Sequence, residues 1–166
     1  MKLLHLILFA SLGANAAESY ASSDDLSSTV AAYSRAAKLQ PLKDSAEDEL
    51  RVWRRGYMNG DIEGYVVSKR RAIKCRATSG YRDGVVSIDR ARCSRWRNGD
   101  DAFGATDDLV ALDGKEWDCP VDDGFVVYVE GVHNGRRFAL RAGNPTLCSD
   151  SDSRAVANLL SKLDRS

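Results

Sequence analysis

Histidine, the usual base of nucleophilic sites, is scarce in this 166-residue sequence. It occurs only as His5 and His133, and a Ser-His-Asp or Cys-His site needs an imidazole as its base. His133 stands beside a predicted turn, where an exposed strand-end residue is the ordinary interpretation. His5 lies in a segment that we expect to be removed, which leaves one imidazole. We therefore expect neither nucleophilic catalysis nor a histidine metal site.

Carboxylates are far more numerous, and two of them held across a cleft could act as the acid and base of a glycosidase. The candidates in the C-terminal half are Asp100, Asp101, Asp107, Asp108, Asp113, Glu116, Asp118, Asp122, Asp123, Asp150 and Asp152. Their Gly, Asn and Ser neighbours are typical of turns and helix caps. Counted from Asp118, the calcium-loop pattern fails, because Pro120 is third and Val129 is twelfth. An enzyme acting on cell-wall glycan through Asp118, Asp122 or Asp123 is the alternative function.

The four cysteines, Cys75, Cys93, Cys119 and Cys148, indicate two disulfides, since their number is even and the chain carries an export signal. None has the close cysteine neighbour of a zinc knuckle. Three connectivities are possible, and we favour Cys75–Cys93 with Cys119–Cys148 because each pair encloses a predicted hairpin. No Gly-rich phosphate loop joins a predicted strand to a helix. We expect no cofactor.

The export signal is at the N-terminus, where Lys2 precedes an apolar run from Leu3 to Leu12. Ala14-Asn15-Ala16 then gives the small residues that a signal peptidase accepts. The run is about half of the ~20 residues that cross a bilayer, and no cysteine follows it to carry a lipid. We expect residues 1–16 to be a cleaved signal peptide and the mature protein to be periplasmic or secreted, without stable membrane insertion.

Charge is distributed unevenly, although Lys plus Arg and Asp plus Glu both total 24. Residues 51–97 hold 13 basic residues against four acidic ones, whereas residues 98–166 hold seven against 13. The candidate binding face within the basic segment comprises Trp53, Tyr57, Arg70, Arg71, Lys74, Arg76, Tyr81, Arg95 and Trp96. Two interpretations stay open: the face is exposed to an anionic partner, or the basic strands pair with the acidic half and cancel.

The elements that must position these residues begin with a polar extension over residues 17–47. Leu26, Val30 and Tyr33 recur at helical spacing after a cap at Asp24 or Asp25, and Gln40-Pro41 is expected to end the helix. Residues 45–58 fit either a helix or a strand. Three closely spaced glycines follow, which suit strands better than a helix interior, so we favour a strand near 49–55.

Two strands are expected from Arg71 to Thr78 and from Val85 to Cys93, joined by a turn-rich stretch from Ser79 to Gly84. Simple register places Cys75 opposite about residue 88. The favoured disulfide therefore requires the chain to curl back after Arg92. Further elements are a loop over 98–105, a helix over 106–112 capped by Thr106 and ended by Gly114, and a short strand over 116–121.

The strongest local pattern flanks Asn134-Gly135, a preferred two-residue hairpin turn. Strands over 125–133 and 136–142 then pair with one apolar face, in which Phe138 covers the gap left by Gly131. The predicted apolar pairs are Val127 with Ala142, Val129 with Leu140 and Gly131 with Phe138. A final helix over 152–164 is capped by Asp150 or Ser151 and carries an apolar stripe of Val156, Leu159, Leu160 and Leu163.

These patterns predict an α+β fold: a mostly antiparallel sheet of hairpins, a C-terminal helix packed on one face, an N-terminal helical extension and two disulfides. Residues 48–166 form the single stapled domain. The predicted function is a non-catalytic exported binding protein, in one version an inhibitor or immunity protein against an enzyme of the bacterial envelope. Its partner is another envelope or secreted protein, or an anionic envelope polymer bound through residues 51–97. The neutral total charge and the compartment argue against nucleic acid.

Overall fold

The computed structural model describes residues 19–21, 26–44, 47–57, 60–82, 85–97, 99–120 and 124–165. They contain nine strands and four helices. The strands are β1 (Ser19–Ala21), β2 (Glu49–Gly56), β3 (Asp61–Ser68), β4 (Arg71–Arg82), β5 (Val85–Ile88), β6 (Arg92–Arg95), β7 (Glu116–Asp118), β8 (Phe125–His133) and β9 (Arg136–Gly143). The helices are α1 (Leu26–Ala36), α2 (Gly99–Phe103), α3 (Thr106–Val110) and α4 (Ser151–Asp164).

The strands form one continuous, mostly antiparallel sheet, which confirms the predicted fold class. Seven strands, β2 to β4 and β6 to β9, make up its main part, and the second half of β4 extends it through β5 to β1. All pairs are antiparallel except β7 with β9. The strand expected over 116–121 is shorter than predicted, since β7 ends at Asp118, and it lies parallel to β9 at the end of the sheet.

The β8–β9 hairpin has the predicted register on both of its faces. Asn134 and Gly135 both have positive φ angles, 50° and 74°, as this type of two-residue turn requires. A Cβ at Gly131 would overlap the ring of Phe138, which confirms that this ring covers the gap left by the glycine. The apolar pairing therefore determines how the centre of the sheet is built.

Helices cover both faces of the sheet, and we name each face by its main helix. The α4 face packs against α2, α3 and α4, and its core strand residues include Leu50, Val52, Val127, Val129 and Leu140. The α1 face packs against α1 and carries Trp53, Ile62, Cys75, Val126 and Tyr128. The C-terminal helix on one face is thus confirmed, and Asp150 caps it by accepting a hydrogen bond from the Ser153 amide at 2.8 Å.

The ambiguous stretch at 45–58 contains a strand, as favoured, and this strand, β2, packs closely against its neighbour β3. The indole of Trp53 covers Gly64 on β3, where any side chain would overlap the ring. The preceding helix ends earlier than expected: α1 stops at Ala36, and Lys38 adopts a positive φ of 56° before Pro41 is reached. The expected caps Asp24 and Asp25 lie outside the described residues.

Both predicted disulfides are present, Cys75–Cys93 and Cys119–Cys148. The expected turn from Ser79 to Gly84 is wrong, because β4 continues to Arg82 and β5 begins at Val85. Ser79 pairs with Ile88, whereas Arg76 pairs with Arg92, so three steps along β4 correspond to four along the returning chain. This extra residue is a β-bulge. It shifts the register by one residue, which places Cys93 directly opposite Cys75.

The segment before β7 departs from the sequence prediction in three places. The expected loop contains α2, whose Ala102 is fully buried against the sheet. Thr106 does not cap α3: the cap position is Ala105, and the Thr106 hydroxyl donates to the Phe103 carbonyl at 2.6 Å. α3 also ends at Val110 instead of residue 112, so Gly114, with its positive φ of 73°, lies four residues beyond the helix and does not end it directly.

Candidate functional site

Four charged residues on the α4 face stand side by side across four neighbouring strands. Arg54 of β2 pairs with Glu63 of β3, Glu63 pairs with Arg76 of β4, and Arg76 pairs with Arg92 of β6. We call these four residues the arginine row. The β-bulge places Arg92 in this row. Without the extra residue the register would shift by one, and the side chain of Arg92 would lie on the other face of the sheet.

Glu63 is the only acid of the row, and it is surrounded by cations. Its carboxylate accepts from Arg54 Nη2 at 2.6 Å and from Lys74 Nζ at 2.7 Å, and Arg76 Nε lies 3.7 Å away. Partial burial acts to raise the pKa of Glu63, but the hydrogen bonds from Lys74 and Arg54 outweigh it and lower the pKa to about 2. Glu63 is therefore a fixed negative charge at neutral pH.

The other end of the row has positive charge without a matching acid. Arg76 is 76% exposed, and its nearest carboxylate is the one already shared by Arg54 and Lys74. Within the described part of the chain, neither Arg90 nor Arg92 forms an ion pair. Like charges placed directly opposite each other on adjacent strands are destabilising. The facing pair of Arg76 and Arg92 is therefore a site at which an anion would relieve repulsion.

A cleft of about 790 Å³ opens beside the arginine row. Its charged lining residues are Arg54, Asp61, Glu63, Arg76, Asp89, Arg90 and Arg92. Phe125 also contributes, and the Arg54 guanidinium lies 5.7 Å from the centre of its ring. Asp89 is engaged by the Thr78 hydroxyl at 2.7 Å. The cleft has the size of a binding site for a small ligand or a short peptide segment.

The predicted binding face is not one surface. Trp53 is 1% exposed and packs against Tyr33 and Tyr128 in the core, so it cannot contact a partner. Tyr57 is exposed but lies beside Asp118, near the other end of the sheet order. Tyr81 belongs to β4, and its side chain falls outside the described residues.

Its remaining members divide between the two faces and the strand ends. Arg70 and Arg71 lie at the turn between β3 and β4, where they pair with Glu47 and Glu49. Lys74 and Arg76 are on the α4 face beside Glu63. Arg95 is exposed on the other face of β6. Trp96 packs edge-on against the ring of Tyr65, with 5.2 Å between the ring centres.

Sequence reasoning missed Arg54, Glu63, Arg90 and Arg92 as members of a site. The alternation in β2 and β3 does place Arg54 and Glu63 on one side of their strands, and this signal was available in the sequence. Arg92 could not be assigned in this way, because its face depends on a bulge that the alternation does not reveal.

The structure also shows how far the positive charge of residues 51–97 is neutralised by the acidic residues of 98–166. Of the ion pairs made by residues 51–97 within the described chain, two reach residues 98–166: Arg51 with Glu130 and Arg54 with Asp164. The others use Glu47, Glu49 and Glu63, which are local. The acidic half therefore neutralises only part of this positive charge, and the arginines near β6 form no ion pair with it among the described residues.

A second cavity, of about 650 Å³, lies between α1 and the strands β8 and β9. The guanidinium of Arg51 is buried there, and each of its three nitrogens donates a hydrogen bond. It donates to Glu49 at 2.7 Å, to the Gln40 carbonyl at 2.7 Å and to Ser34 at 3.0 Å, and it lies 3.3 Å from Glu130. This network ties α1 and the segment after it to the sheet.

Asp118 is the one candidate catalytic carboxylate of Asp118, Asp122 and Asp123 that the structure describes. Asp118 is held by Arg141 through two contacts, at 2.9 and 3.0 Å. Asp122 and Asp123 lie outside the described residues. His133 is half-buried rather than exposed, between Asp107 at 2.6 Å and Asp48 at 3.4 Å. In the described chain, no group of three His, Cys, Asp or Glu side chains is placed to hold a metal ion.

Comparison with protein-family models and with curated proteins finds no match to this chain. The two disulfides are compatible with an exported protein. None of the helices within the described ranges combines the length and the apolar character needed to span a bilayer. The arginine row and its cleft are therefore the features of this chain that bear most directly on its function.

Proposed function

We propose that this chain is an exported, non-catalytic binding protein whose arginine row and adjacent cleft receive an acidic segment of another envelope or secreted protein. The cross-strand pair of Arg76 and Arg92 carries the proposal, because like charges directly opposite each other on adjacent strands are destabilising and an anion bound beside them would relieve the repulsion. An inhibitor or immunity protein acting on an envelope enzyme is one version of this role.

Guanidinium chemistry supports a carboxylate as the bound group. Arginine offers planar, paired donors that match both oxygens of a carboxylate, and it is weakly hydrated for a cation. Glu63 holds one edge of the site through Arg54 and Lys74, so the donors on the β6 side are the ones left for a partner. Phe125 supplies an apolar wall on the far side of the cleft.

Export is part of the proposal and is supported by the two disulfides, which form in oxidising compartments. The proposed leader, residues 1–16, lies outside the described residues. The intact mass of the protein recovered from an envelope or culture fraction tests this point. We expect the mass of a chain that begins at Ala17, and we expect alkylation to increase this mass only after reduction. An uncut chain with four free thiols would contradict the proposal.

The electrostatics favour binding over catalysis. A general acid at neutral pH needs a carboxyl group with a raised pKa, whereas the neighbours of Glu63 lower its pKa to about 2. Asp118, the accessible candidate of the glycosidase alternative, is engaged by Arg141. The alternative predicts activity on peptidoglycan that is lost in Asp118→Asn. Such activity in the purified mature protein would replace our proposal.

Capture of a partner from an envelope extract tests the proposed site. The mature protein is immobilised beside the double variant Arg76→Glu/Arg92→Glu and a control, Arg136→Glu/Arg154→Glu, which makes the same charge change at residues that do not line the cleft. We expect one partner to be retained by the parent and the control and lost by the first variant, with retention weaker at physiological salt than at low salt. Equal retention by all three proteins would overturn the proposal.

An anionic envelope polymer is the second candidate, because Arg90, Arg92, Arg95 and Arg97 are all exposed along one edge of the molecule. Capture in the presence of excess purified cell-wall polymer separates the two. Loss of the protein partner to this competitor would favour the polymer, whereas persistence of the partner supports a protein ligand.

A further inference from the structure

The strand β6 lies at an open edge of the sheet. Among the described residues it pairs only with β4, and all four of its residues, Arg92 to Arg95, are exposed. An edge strand presents backbone N–H and C=O groups that can accept another strand. Most proteins keep such edges short or charged, and β6 is both.

The hydrogen-bonding pattern shows which backbone groups of β6 point outward. The Trp96 amide donates to the Ala72 carbonyl at 2.9 Å, so these two residues face each other as a hydrogen-bonded pair. Such pairs alternate along antiparallel strands with pairs that are not bonded to each other. Cys93 is therefore in a non-bonded pair with Cys75, in keeping with a Cα–Cα distance of 4.0 Å. The backbone groups of Cys93 and Arg95 consequently face away from β4.

The side chains at this edge select the charge of any added strand. Arg92 projects on the α4 face and Arg95 on the α1 face, and Arg90 and Arg97 flank them. A second copy of β6 would bring arginine against arginine, which disfavours self-pairing. An extended segment with acidic side chains meets the opposite charge on both faces. The same residues that protect this edge from aggregation therefore fit it for an acidic partner.

We infer that the partner segment binds as an added β-strand: an extended, acidic peptide segment aligns with β6 and bonds to the backbone of Cys93 and Arg95. This inference rests on the proposed function and specifies how the partner is held. The carboxylates of an alternating acidic segment share one face, so one of them reaches the facing pair of Arg76 and Arg92 on the α4 face while the apolar side chains lie on the face of Arg95.

A synthetic peptide of alternating glutamate and valine, EVEVEV with capped ends, is the probe. Its control has the same sequence with every backbone nitrogen methylated, which keeps the charge but removes the donors from both edges. We expect the first peptide to slow amide exchange at Cys93 and Arg95, and methylation to weaken binding by about tenfold. Equal binding of the two peptides would overturn strand addition while leaving charge-based docking in the cleft intact.

Two variants at one position separate the backbone from the charge. Arg95→Pro removes the outward amide at a position where an edge strand tolerates proline, whereas Arg95→Val removes the same charge and keeps the amide. We expect Arg95→Pro to bind EVEVEV more weakly than Arg95→Val by about tenfold, with near-UV circular dichroism showing that both are folded. Equal affinities of the two variants would contradict the inference.

The outcome also distinguishes this inference from the proposed function. If EVEVEV does not bind but Arg76→Glu/Arg92→Glu still abolishes partner capture, strand addition is wrong and the binding role stands. If EVEVEV binds as expected but the double variant captures the partner normally, the proposed function fails at its own test. Binding of phosphatidylglycerol vesicles in competition with the peptide would overturn the assignment to an acidic polypeptide.

Discussion

Arg51 and Arg92 belong to the same basic segment, and their surroundings are opposite. Arg51 is 3% exposed, and three side chains and a backbone carbonyl surround its guanidinium. Arg92 is exposed, faces Arg76, and forms no ion pair within the described ranges. A buried guanidinium must have its donors satisfied internally, whereas an exposed one can leave them for a ligand. The contrast separates residues that hold the fold from residues that are available to a partner.

The largest expected effect breaks the buried side of this comparison. Arg51→Met leaves Glu130 without its cation and Glu49 with Arg71 alone, and removing one partner of a buried ion pair costs about 3–5 kcal/mol. We expect urea denaturation to show a loss of this size in the free energy of unfolding. Adding Glu130→Gln to Arg51→Met should recover part of it, because the uncompensated charge is removed. A loss below about 1 kcal/mol would mean that the network does not secure α1.

The second prediction compares the two disulfides. Cys75–Cys93 closes 18 residues and Cys119–Cys148 closes 29, so replacing either pair by alanine should lower the free energy of unfolding by about 3–4 kcal/mol. The first replacement alone should also weaken partner capture, because it releases β6 from β4. If both alanine variants capture the partner equally well, the first disulfide does not order the site.

The third prediction concerns pH. Glu63 has a pKa of about 2 in the fold against an ordinary value of 4.5, so its stabilising contribution is complete above about pH 4.5 and is lost as the pH falls towards 2. Glu63→Gln should flatten the loss of stability over this range, as followed by thermal unfolding at several pH values. Glu116→Gln is the control, since that exposed carboxylate has no ion pair in the described chain. If the melting temperatures of Glu63→Gln and of the parent fell equally steeply between pH 4.5 and pH 2, the prediction would be contradicted.

The smallest expected effect sharpens the exposed side of the comparison. Arg92→Glu replaces a like-charge pair with an attractive one opposite Arg76, which should stabilise the fold by about 0.2–1 kcal/mol. Thermal unfolding at low salt measures the gain, which should shrink at high salt. Arg92→Gln should give an intermediate value. Destabilisation by Arg92→Glu would show that Arg76 and Arg92 do not repel each other in the fold.

Most of the framework could be predicted because its signals are local. The Asn134-Gly135 turn and the alternation around it determine one register, since a slip by one residue would turn Phe138 away from the core. The stripe of α4 and the pairing of the cysteines followed from spacing in the same way. The short helix α2 was missed because its five residues carry no periodic pattern, and only the burial of Ala102 against the sheet accounts for it.

The candidate site was less accessible to sequence reasoning. Composition located the basic segment, but the row needs four strands in register, and no local pattern states that Glu63 lies between Arg54 and Arg76. Trp53 shows the opposite problem. An aromatic residue among arginines suggests a binding surface, and its burial became evident only when Gly64 proved to leave the space that the indole fills.

The one-residue bulge between β5 and β6 links two properties that are otherwise unrelated. Deleting a single residue there would turn Cys93 away from Cys75 and Arg92 away from Arg76 in the same step. Oxidation of the cysteines thus verifies the alignment of the arginines. A chain crosslinked at this position has its charged edge aligned, so the Cys75–Cys93 disulfide fixes the register that brings Arg92 opposite Arg76.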